Sequence, residues 1–271
     1  MKIAFIGGGN MATALIAGLV KGQGAGTQVH VVDPNPEALE RLAAQYGATT
    51  AGGIDAAVAA VDVIVLAVKP QQMREVAGAL APHLTGGPLV LSIAAGIRGA
   101  DLSRWLGGYG AIVRAMPNTP ALIKQGITGM VALAGVSDTQ RTAADAVLRA
   151  VGQTVWLDDE ALIDPVTAVS GSGPAYVFYF LEAMVAAAQE MGLTAQQGRE
   201  LALATFAGAT QLAAQSDETL EVLRQRVTSK GGTTHAAITS MEAAGVKAAI
   251  VEAMKAAAAR GRELGDELGA D

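Results

Sequence analysis

Lys2-Ile3-Ala4-Phe5-Ile6-Gly7-Gly8-Gly9-Asn10-Met11-Ala12 is the stretch that decides the fold. A short apolar run breaks at three glycines, and a helix-type segment, Met11–Lys21, begins directly after them. Gly7 allows a tight turn, Gly9 lets the backbone approach a pyrophosphate, and the small Ala12 permits close packing of helix on strand. Free N–H groups and the dipole at a helix start favour an anion at that point. A Gly-x-Gly-x-x-Ala alone can be only a turn; here strand, helix and a downstream acid accompany it. The acid is Asp33, at the end of the next apolar run, Gln28–Asp33. An aspartate there accepts hydrogen bonds from the adenosine ribose and repels a 2′-phosphate. No Arg occupies positions 34–36, and Arg41 lies further on, so NADH is expected to be accepted and NADPH to be the weaker coenzyme. Asp33 has a second reading, as the N-cap of a helix starting near Pro34–Pro36.

The same alternation continues outward. Further strand-type runs are Ala48–Ala51, Asp62–Val68, Leu89–Ala94, Ile112–Met116, Thr128–Leu133 and Thr154–Leu157, with helix-length segments such as Glu37–Tyr46 and Thr139–Val151 between them. Val63-Ile64-Val65-Leu66-Ala67-Val68 is a continuous apolar string, as expected for a strand covered on both faces. This predicts an α/β fold with a mostly parallel, doubly wound sheet of the Rossmann type. Beyond about Glu160 the strand signals stop. Asp164–Ser170, Pro174–Met191, Thr194–Ala214, Glu218–Arg226, Thr234–Ala244 and Val246–Leu268 read as helices, broken at Gly171-Ser172-Gly173, Gly192, Ser216-Asp217, Gly231-Gly232 and Gly245. Thr194 and Asp217 are expected N-caps and Gly192 a C-cap. Two domains are predicted: residues 1–159 as a dinucleotide-binding domain, and residues 160–271 as an all-helical domain.

Composition narrows the function classes. Hydrophobic residues make up 51% of the 271 but aromatics only 4%, so the core must be built from Ala, Val, Leu and Ile. A formal charge of −6 without any Lys/Arg block argues against nucleic acid or an anionic membrane as partner. With no cysteine there is no disulfide, thiolate nucleophile or Cys-ligated metal, and His30, His83 and His235 lack metal-ligand spacing, so no metal is expected. The apolar start is interrupted at Gly7, unlike a signal peptide, and no segment has the roughly 20 apolar residues of a membrane helix. A soluble, cytoplasmic protein is expected.

Two further stretches carry chemistry. Val68-Lys69-Pro70-Gln71 follows the fourth run, where the carboxyl ends of parallel strands border a ligand crevice. Pro70 suits a first helical turn, leaving the backbone groups of Val68 and Lys69 for a ligand. At the other end, Val227-Thr228-Ser229-Lys230-Gly231-Gly232-Thr233-Thr234-His235 reads as a tight turn feeding a helix start, a second anion site suited to an acidic substrate. Three more motifs stand between them: Ser92-Ile93-Ala94-Ala95-Gly96-Ile97, Arg114-Ala115-Met116-Pro117-Asn118-Thr119-Pro120, and Val169-Ser170-Gly171-Ser172-Gly173-Pro174-Ala175-Tyr176.

In order and spacing along nearly the whole chain, these motifs resemble those of pyrroline-5-carboxylate reductases. The resemblance implies NAD(P)H-dependent reduction of 1-pyrroline-5-carboxylate to L-proline, the last step of proline synthesis, with NADPH or NADH as coenzyme. It implies a Rossmann domain for the coenzyme and a helical dimerisation domain, an active site completed by the partner subunit, and homodimers that associate further into decamers of five dimers. Carried onto this sequence, Gly7, Gly8, Gly9, Asn10, Met11, Asp33, Val68, Lys69, Pro70, Ala95 and Asn118 would line the coenzyme. Ser229, Gly232, Thr233 and Thr234 would hold the substrate carboxylate, with Thr234 hydrogen-bonded to the ring nitrogen. The chain departs from many members in having Lys230 and Leu220 where they have Pro, and Asp33-Pro34-Asn35-Pro36 where NADPH users are often polar or basic.

Plainer readings stand beside these. Ser229, Thr233 and Thr234 fit a capping cluster, Lys230 a solvent-facing lysine, and His235 an exposed residue without a role. Tyr176 and Tyr179 suit interface packing better than catalysis, Asp158-Asp159-Glu160 a solvated domain junction, and Arg114 a support for its strand end. A 3-hydroxyacid dehydrogenase of similar layout is the competing enzyme, but Lys230, Lys247 and Lys255 lack the Lys-x-x-x-Asn spacing of its catalytic lysine. A dinucleotide-binding sensor or assembly protein without turnover is the competing non-enzyme.

Overall fold

The computed structural model describes residues 1–22 and 26–270; Asp271, the last residue of the second expected domain, lies outside them. Eight strands form one sheet in the order β3-β2-β1-β4-β5-β6-β7-β8. They are β1 (Lys2–Ile6), β2 (Gln28–Val32), β3 (Thr49–Ala51), β4 (Val63–Leu66), β5 (Leu89–Ser92), β6 (Ile112–Met116), β7 (Gly126–Ala132) and β8 (Gly152–Trp156). Every neighbouring pair is parallel except β6 and β7, which run antiparallel. The eight apolar runs of the sequence are these strands, with ends shifted by a few residues.

The two-residue period of a strand distributes each run over two cores. Ile3 and Phe5 of β1, Val65 of β4 and Leu91 of β5 face one side, against Leu15, Ile16 and Leu19 of α1 (Asn10–Gly22) and Leu148 of the last helix of this half. Ala4, Ile6, Ile64, Leu66 and Val90 face the other, with Met73, Ala77 and Leu80 from residues 73–80 and Leu102 beyond. The helices, in order, are α2 (Pro36–Tyr46), α3 (Met73–Leu80), α4 (Gly99–Trp105) and α5 (Asp138–Arg149), the last opened by a Ser137–Gln140 capping box. Apolar side chains on both faces are why β1, β4 and β5 read as unbroken hydrophobic strings.

After β8 the chain is helical, as expected. Asp164–Ser170 is not one α-helix: α6 (Ile163–Val166) passes into a π-helical turn, Thr167–Gly171. Then follow α7 (Gly173–Glu190), α8 (Ala195–Ala214), α9 (Leu220–Arg226), α10 (Thr233–Ala243) and α11 (Val246–Gly269). Thr194 caps α8 through a capping box with Gln197, and Gly192 takes the positive φ of a helix stop. Asp217 does not cap α9; the hydroxyl of Thr219 accepts from Val222 N–H, because the helix starts later than the charge pattern suggests.

Residue contacts divide the chain into two compact units: residues 1–172 together with the C-terminal stretch from Lys255, and residues 173–254. The first holds the sheet and both cores. In the second, among the described residues, α7 buries only Ala188 and α8 only Gly198 and Ala202, while α9 and α10 bury none. Gly198 meets Ala188 so closely that a Cβ there would lie 2.9 Å from it, so small residues let these two helices touch. Phe178 (59% exposed), Tyr179 (74%), Leu201 (58%), Leu212 (61%) and Leu220 (74%) remain open, more apolar surface than a lone monomer ordinarily leaves to water. Among the described residues no helix is long and apolar enough to cross a membrane.

Gly18 of α1 lies against the Ala150 carbonyl, and a Cβ there would also press on Val151 Cγ1. Gly18→Ala gains up to ~1 kcal/mol of helix propensity, but the backbone it meets cannot swing aside. A net loss of about 1–2 kcal/mol is expected as overpacking outweighs propensity. Urea unfolding checks it: a midpoint at or above that of the parent protein would show that α1 shifts freely.

Candidate active site

The strand order reverses direction at β1, which has β2 on one side and β4 on the other. Crevices at such switch points, beyond the carboxyl ends of parallel strands, are where doubly wound sheets take ligands. Since β1, β2, β4, β5 and β6 run parallel, the segments after each of them share one edge. Gly7–Met11, Asp33, Val68–Pro70, Ala95 and Asn118, the residues expected to line a coenzyme, all lie in or beside those segments.

Gly7 has φ 104°, and a Cβ there would sit 2.6 Å from the Ala67 carbonyl oxygen. Only glycine lets the turn after β1 lie against the end of β4. Gly7 N–H donates to the Val32 carbonyl at 2.8 Å, tying the turn to β2 as well. Gly9 is exposed, with nothing within 4 Å of where a Cβ would stand. Its carbonyl accepts from Thr13 N–H, so the N–H groups of Asn10, Met11 and Ala12 precede the helical bonding of α1. Open space in front of Gly9 and unpaired donors behind it suit the pyrophosphate of a dinucleotide. Ala12, 1% exposed, is the small residue that brings α1 onto the sheet.

Asp33 does not cap α2. Asn35 does, accepting from Glu37 N–H, while Asp33 Oδ1 accepts from Asn35 N–H at 2.8 Å and Oδ2 from Gly8 N–H at 2.6 Å. The carboxylate thus braces the glycine turn from the end of β2, where a ribose would meet it. Pro70 opens a 3₁₀ turn, Pro70–Gln72, rather than an α-helix, and Gln72 N–H bonds to the Lys69 carbonyl. That carbonyl therefore has one of its two acceptor positions taken; the Lys69 side chain is exposed and has no ion pair among the described residues. Asn118, 9% exposed, has both ends of its amide engaged: Oδ1 accepts from Ile127 N–H at 3.0 Å and Nδ2 donates to the Ser170 carbonyl at 3.2 Å.

Some charged contacts were not legible in the sequence. Glu160 is no solvated junction residue: its Oε1 accepts from Arg114 Nη1 at 2.5 Å and from Gly99 N–H at 2.6 Å, while Arg114 is only 5% exposed. Arg98 donates to Asp266 at 2.6 Å, a hydrogen bond that raises its pKa further above the ordinary arginine value. These partners are far apart along the chain, so no local spacing pointed to them; a buried arginine at the end of a hydrophobic strand was the one available signal.

In the second unit, Ser229, Gly232, Thr233 and Thr234 gather at the start of α10. Gly231 has φ 76°, which favours glycine, and a Cβ on Gly232 would meet Ser229 Oγ at 2.7 Å, so a larger residue there would turn the serine hydroxyl aside. Gly232 itself is the N-cap residue and no side chain caps the helix; the capping-cluster reading of the hydroxyls does not hold. The first-turn N–H groups of α10 point out of the helix uncapped, beside exposed Thr233 and Thr234. Lys230 and His235 are exposed.

A family model described as pyrroline-5-carboxylate reductase dimerisation matches residues 160–264, and one described as NADP oxidoreductase, coenzyme F420-dependent, matches residues 2–96. Pyrroline-5-carboxylate reductase of Pseudomonas aeruginosa is 48% identical over 99% of this chain and 98% of its own. Among solved structures, a pyrroline-5-carboxylate reductase from Coxiella burnetii is 37% identical with a TM-score of 0.91, covering 97% of both chains. Pyrroline carboxylate reductase from Plasmodium falciparum, with NADP bound, is 26% identical with a TM-score of 0.87 over 98% of both. A glycine turn at the switch point, an uncapped helix start and full-length similarity agree, and the chain belongs to the pyrroline-5-carboxylate reductase family.

Proposed function

We propose that this chain reduces 1-pyrroline-5-carboxylate to L-proline, the last step of proline biosynthesis, with NADPH or NADH as the hydride donor. The observation that carries this is the Gly-Gly-Thr-Thr start of α10, an anion-ready helix terminus whose N–H groups and hydroxyls have no capping duty. On this proposal residues 1–159 hold the coenzyme and residues 160–271 serve dimerisation and substrate binding. Gly7–Met11, Asp33, Val68, Lys69, Pro70, Ala95 and Asn118 line the coenzyme, which supplies the hydride when bound.

Ser229, Gly232, Thr233 and Thr234 hold the substrate carboxylate. The helix terminus contributes roughly 0.3–1 kcal/mol to that binding, and ~2 kcal/mol where water is excluded. Hydride arriving at the imine carbon leaves an electron pair on nitrogen, so the ring nitrogen must gain a proton for the secondary amine to form. Thr234 hydrogen-bonds that nitrogen. A threonine hydroxyl is too weak an acid to give up its own proton at neutral pH, so it relays one from water. No strong general acid is needed when the ring nitrogen is already protonated, because the iminium is the better hydride acceptor and gives the neutral amine directly. Orientation of the ring against the nicotinamide is then the protein's main contribution.

The working unit is the homodimer, in which a second copy covers the apolar faces of α7–α10 and completes the site. Tyr176 and Tyr179 belong to that interface, and assembly of five dimers into a decamer is the larger form that the family resemblance implies.

The direct test is steady-state oxidation of NADPH and of NADH with 1-pyrroline-5-carboxylate; formation of proline with neither would reject the proposal. Thr234→Ala should lower kcat about 10²-fold, within the range of proton-transfer contributions, with coenzyme KM little changed. Unaltered turnover would remove Thr234 from the chemistry. Asp33→Ser should weaken both coenzymes by loosening the Gly8 turn. It should also raise the NADPH-to-NADH ratio of kcat/KM about tenfold, as one repelling charge near the 2′-phosphate is lost. A ratio that stays put would leave Asp33 as a brace only.

A further inference from the structure

Glu160 sits just past β8, yet one of its carboxylate oxygens meets two elements beyond the neighbouring strand β7. Oε1 accepts from Gly99 N–H, at the start of α4, and from the buried Arg114 guanidinium of β6. Gly99 is the residue that makes the reach possible. A Cβ there would lie 2.6 Å from Leu133 Cδ1 and 3.2 Å from Glu160 Oε1, so any side chain would displace both. The paired segments have a common property. Gly99 ends the short loop that leaves β5 through Ala95, and Arg114 precedes the Met116-Pro117-Asn118 turn that leaves β6.

The loop is held from behind as well. Gly96 has φ 72°, and a Cβ there would stand 3.2 Å from Leu264 Cβ of α11. Gly96, Arg98, Arg114, Glu160 and Asp164 line one cavity of about 230 Å³, so the loop and the ion pair border the same space. Across that gap the Glu160 carboxylate is the polar link that ties the β5 loop to the end of β6.

The geometry points to Glu160, through Arg114 and Gly99, as a positioning residue of the coenzyme site: it sets the spacing between the Ala95 turn and the Asn118 turn. This rests on the proposal that Ala95 and Asn118 line the coenzyme. Glu160 touches neither coenzyme nor substrate on this account. A carboxylate receiving two short bonds, one charge-assisted, is a stiff tether, and an ångström of drift in a binding wall is felt in ligand affinity.

Removing Glu160 alone would leave Arg114 buried and unpaired, which destabilises the protein whatever else it does. The informative variant is therefore the double substitution Glu160→Ala with Arg114→Met, which takes out both charges and fills the space with apolar atoms. It should fold and melt only a little below the parent protein, as the buried Gly99 N–H loses its acceptor, while the coenzyme KM and the Kd from coenzyme fluorescence titration both rise about tenfold. The KM for 1-pyrroline-5-carboxylate should change little. A purely structural role would lower the melting temperature and the active fraction without moving coenzyme KM or Kd. A folded double variant with parental coenzyme affinity would overturn the proposal. So would one that fails to fold, since the pair would then be holding the domain and not the site. Ala95→Leu separates the premise from the inference: it should abolish coenzyme binding. Should Ala95→Leu bind coenzyme normally, the coenzyme-site assignment falls first and the tether with it.

Discussion

The meeting of the Gly7 turn with the end of β4 is the constraint from which the rest of the sheet unit follows. A Cβ at position 7 would press on the Ala67 carbonyl at 2.6 Å, so the two strand ends share a space that admits backbone and nothing more. That closeness is possible because β1 lies between β2 and β4, with chain connections departing to opposite sides. It also leaves the N–H groups at the start of α1 facing an opening that no side chain of the turn can fill. Fold and anion site are one arrangement here. A residue larger than glycine would cost both at once.

Around this opening, carboxylates are pinned to backbone N–H groups. Asp33 grips Gly8, and Glu160 grips Gly99, each at 2.6 Å. Such bonds are stronger than neutral ones and fix loop positions that hydrophobic packing leaves loose. Past the strand ends the apolar packing thins: Ala67, Val68, Ile93 and Ala94 are only partly buried, though Ile97 and Ala121 stay in the cores. Charge-assisted hydrogen bonds to the backbone take over there.

The parts legible in the sequence are those encoded locally. Unbroken strings such as Val63–Leu66 announce strands covered on both faces, and the glycine turn marks its own place between strand and helix. Thr194 and Gln197 announce the α8 capping box through three-residue spacing. What stayed hidden depends on distance along the chain. Glu160 sits between two aspartates and Ala161, a context that reads as solvated, and its partners Arg114 and Gly99 are set by the sheet order alone. Asp33 was found as the strand-end acid, but its bond to Gly8 depends on the separation of β1 and β2, which no spacing rule reports. At α9, Asp217 is the expected cap by type, and the backbone instead places Thr219 at that position.

The helical unit imposes a different kind of dependence. Helices that bury one to two small residues apiece, or none, cannot offset the conformational entropy of ordering them. Yet this unit carries the Gly-Gly-Thr-Thr start of α10, whose donors, on the proposed function, must be held to a fraction of an ångström to orient a small acid. A terminus on a weakly buried helix would open and close on its own account. In the proposed homodimer, a second copy over the exposed Phe178, Tyr179 and Leu220 would supply the missing apolar burial and so steady the donor turn. On the proposed function, assembly would then do more than add stability: it would make the substrate turn rigid enough to work. The Ala-rich, aromatic-poor composition is consistent with the same need, since small side chains would let helices of two copies approach closely.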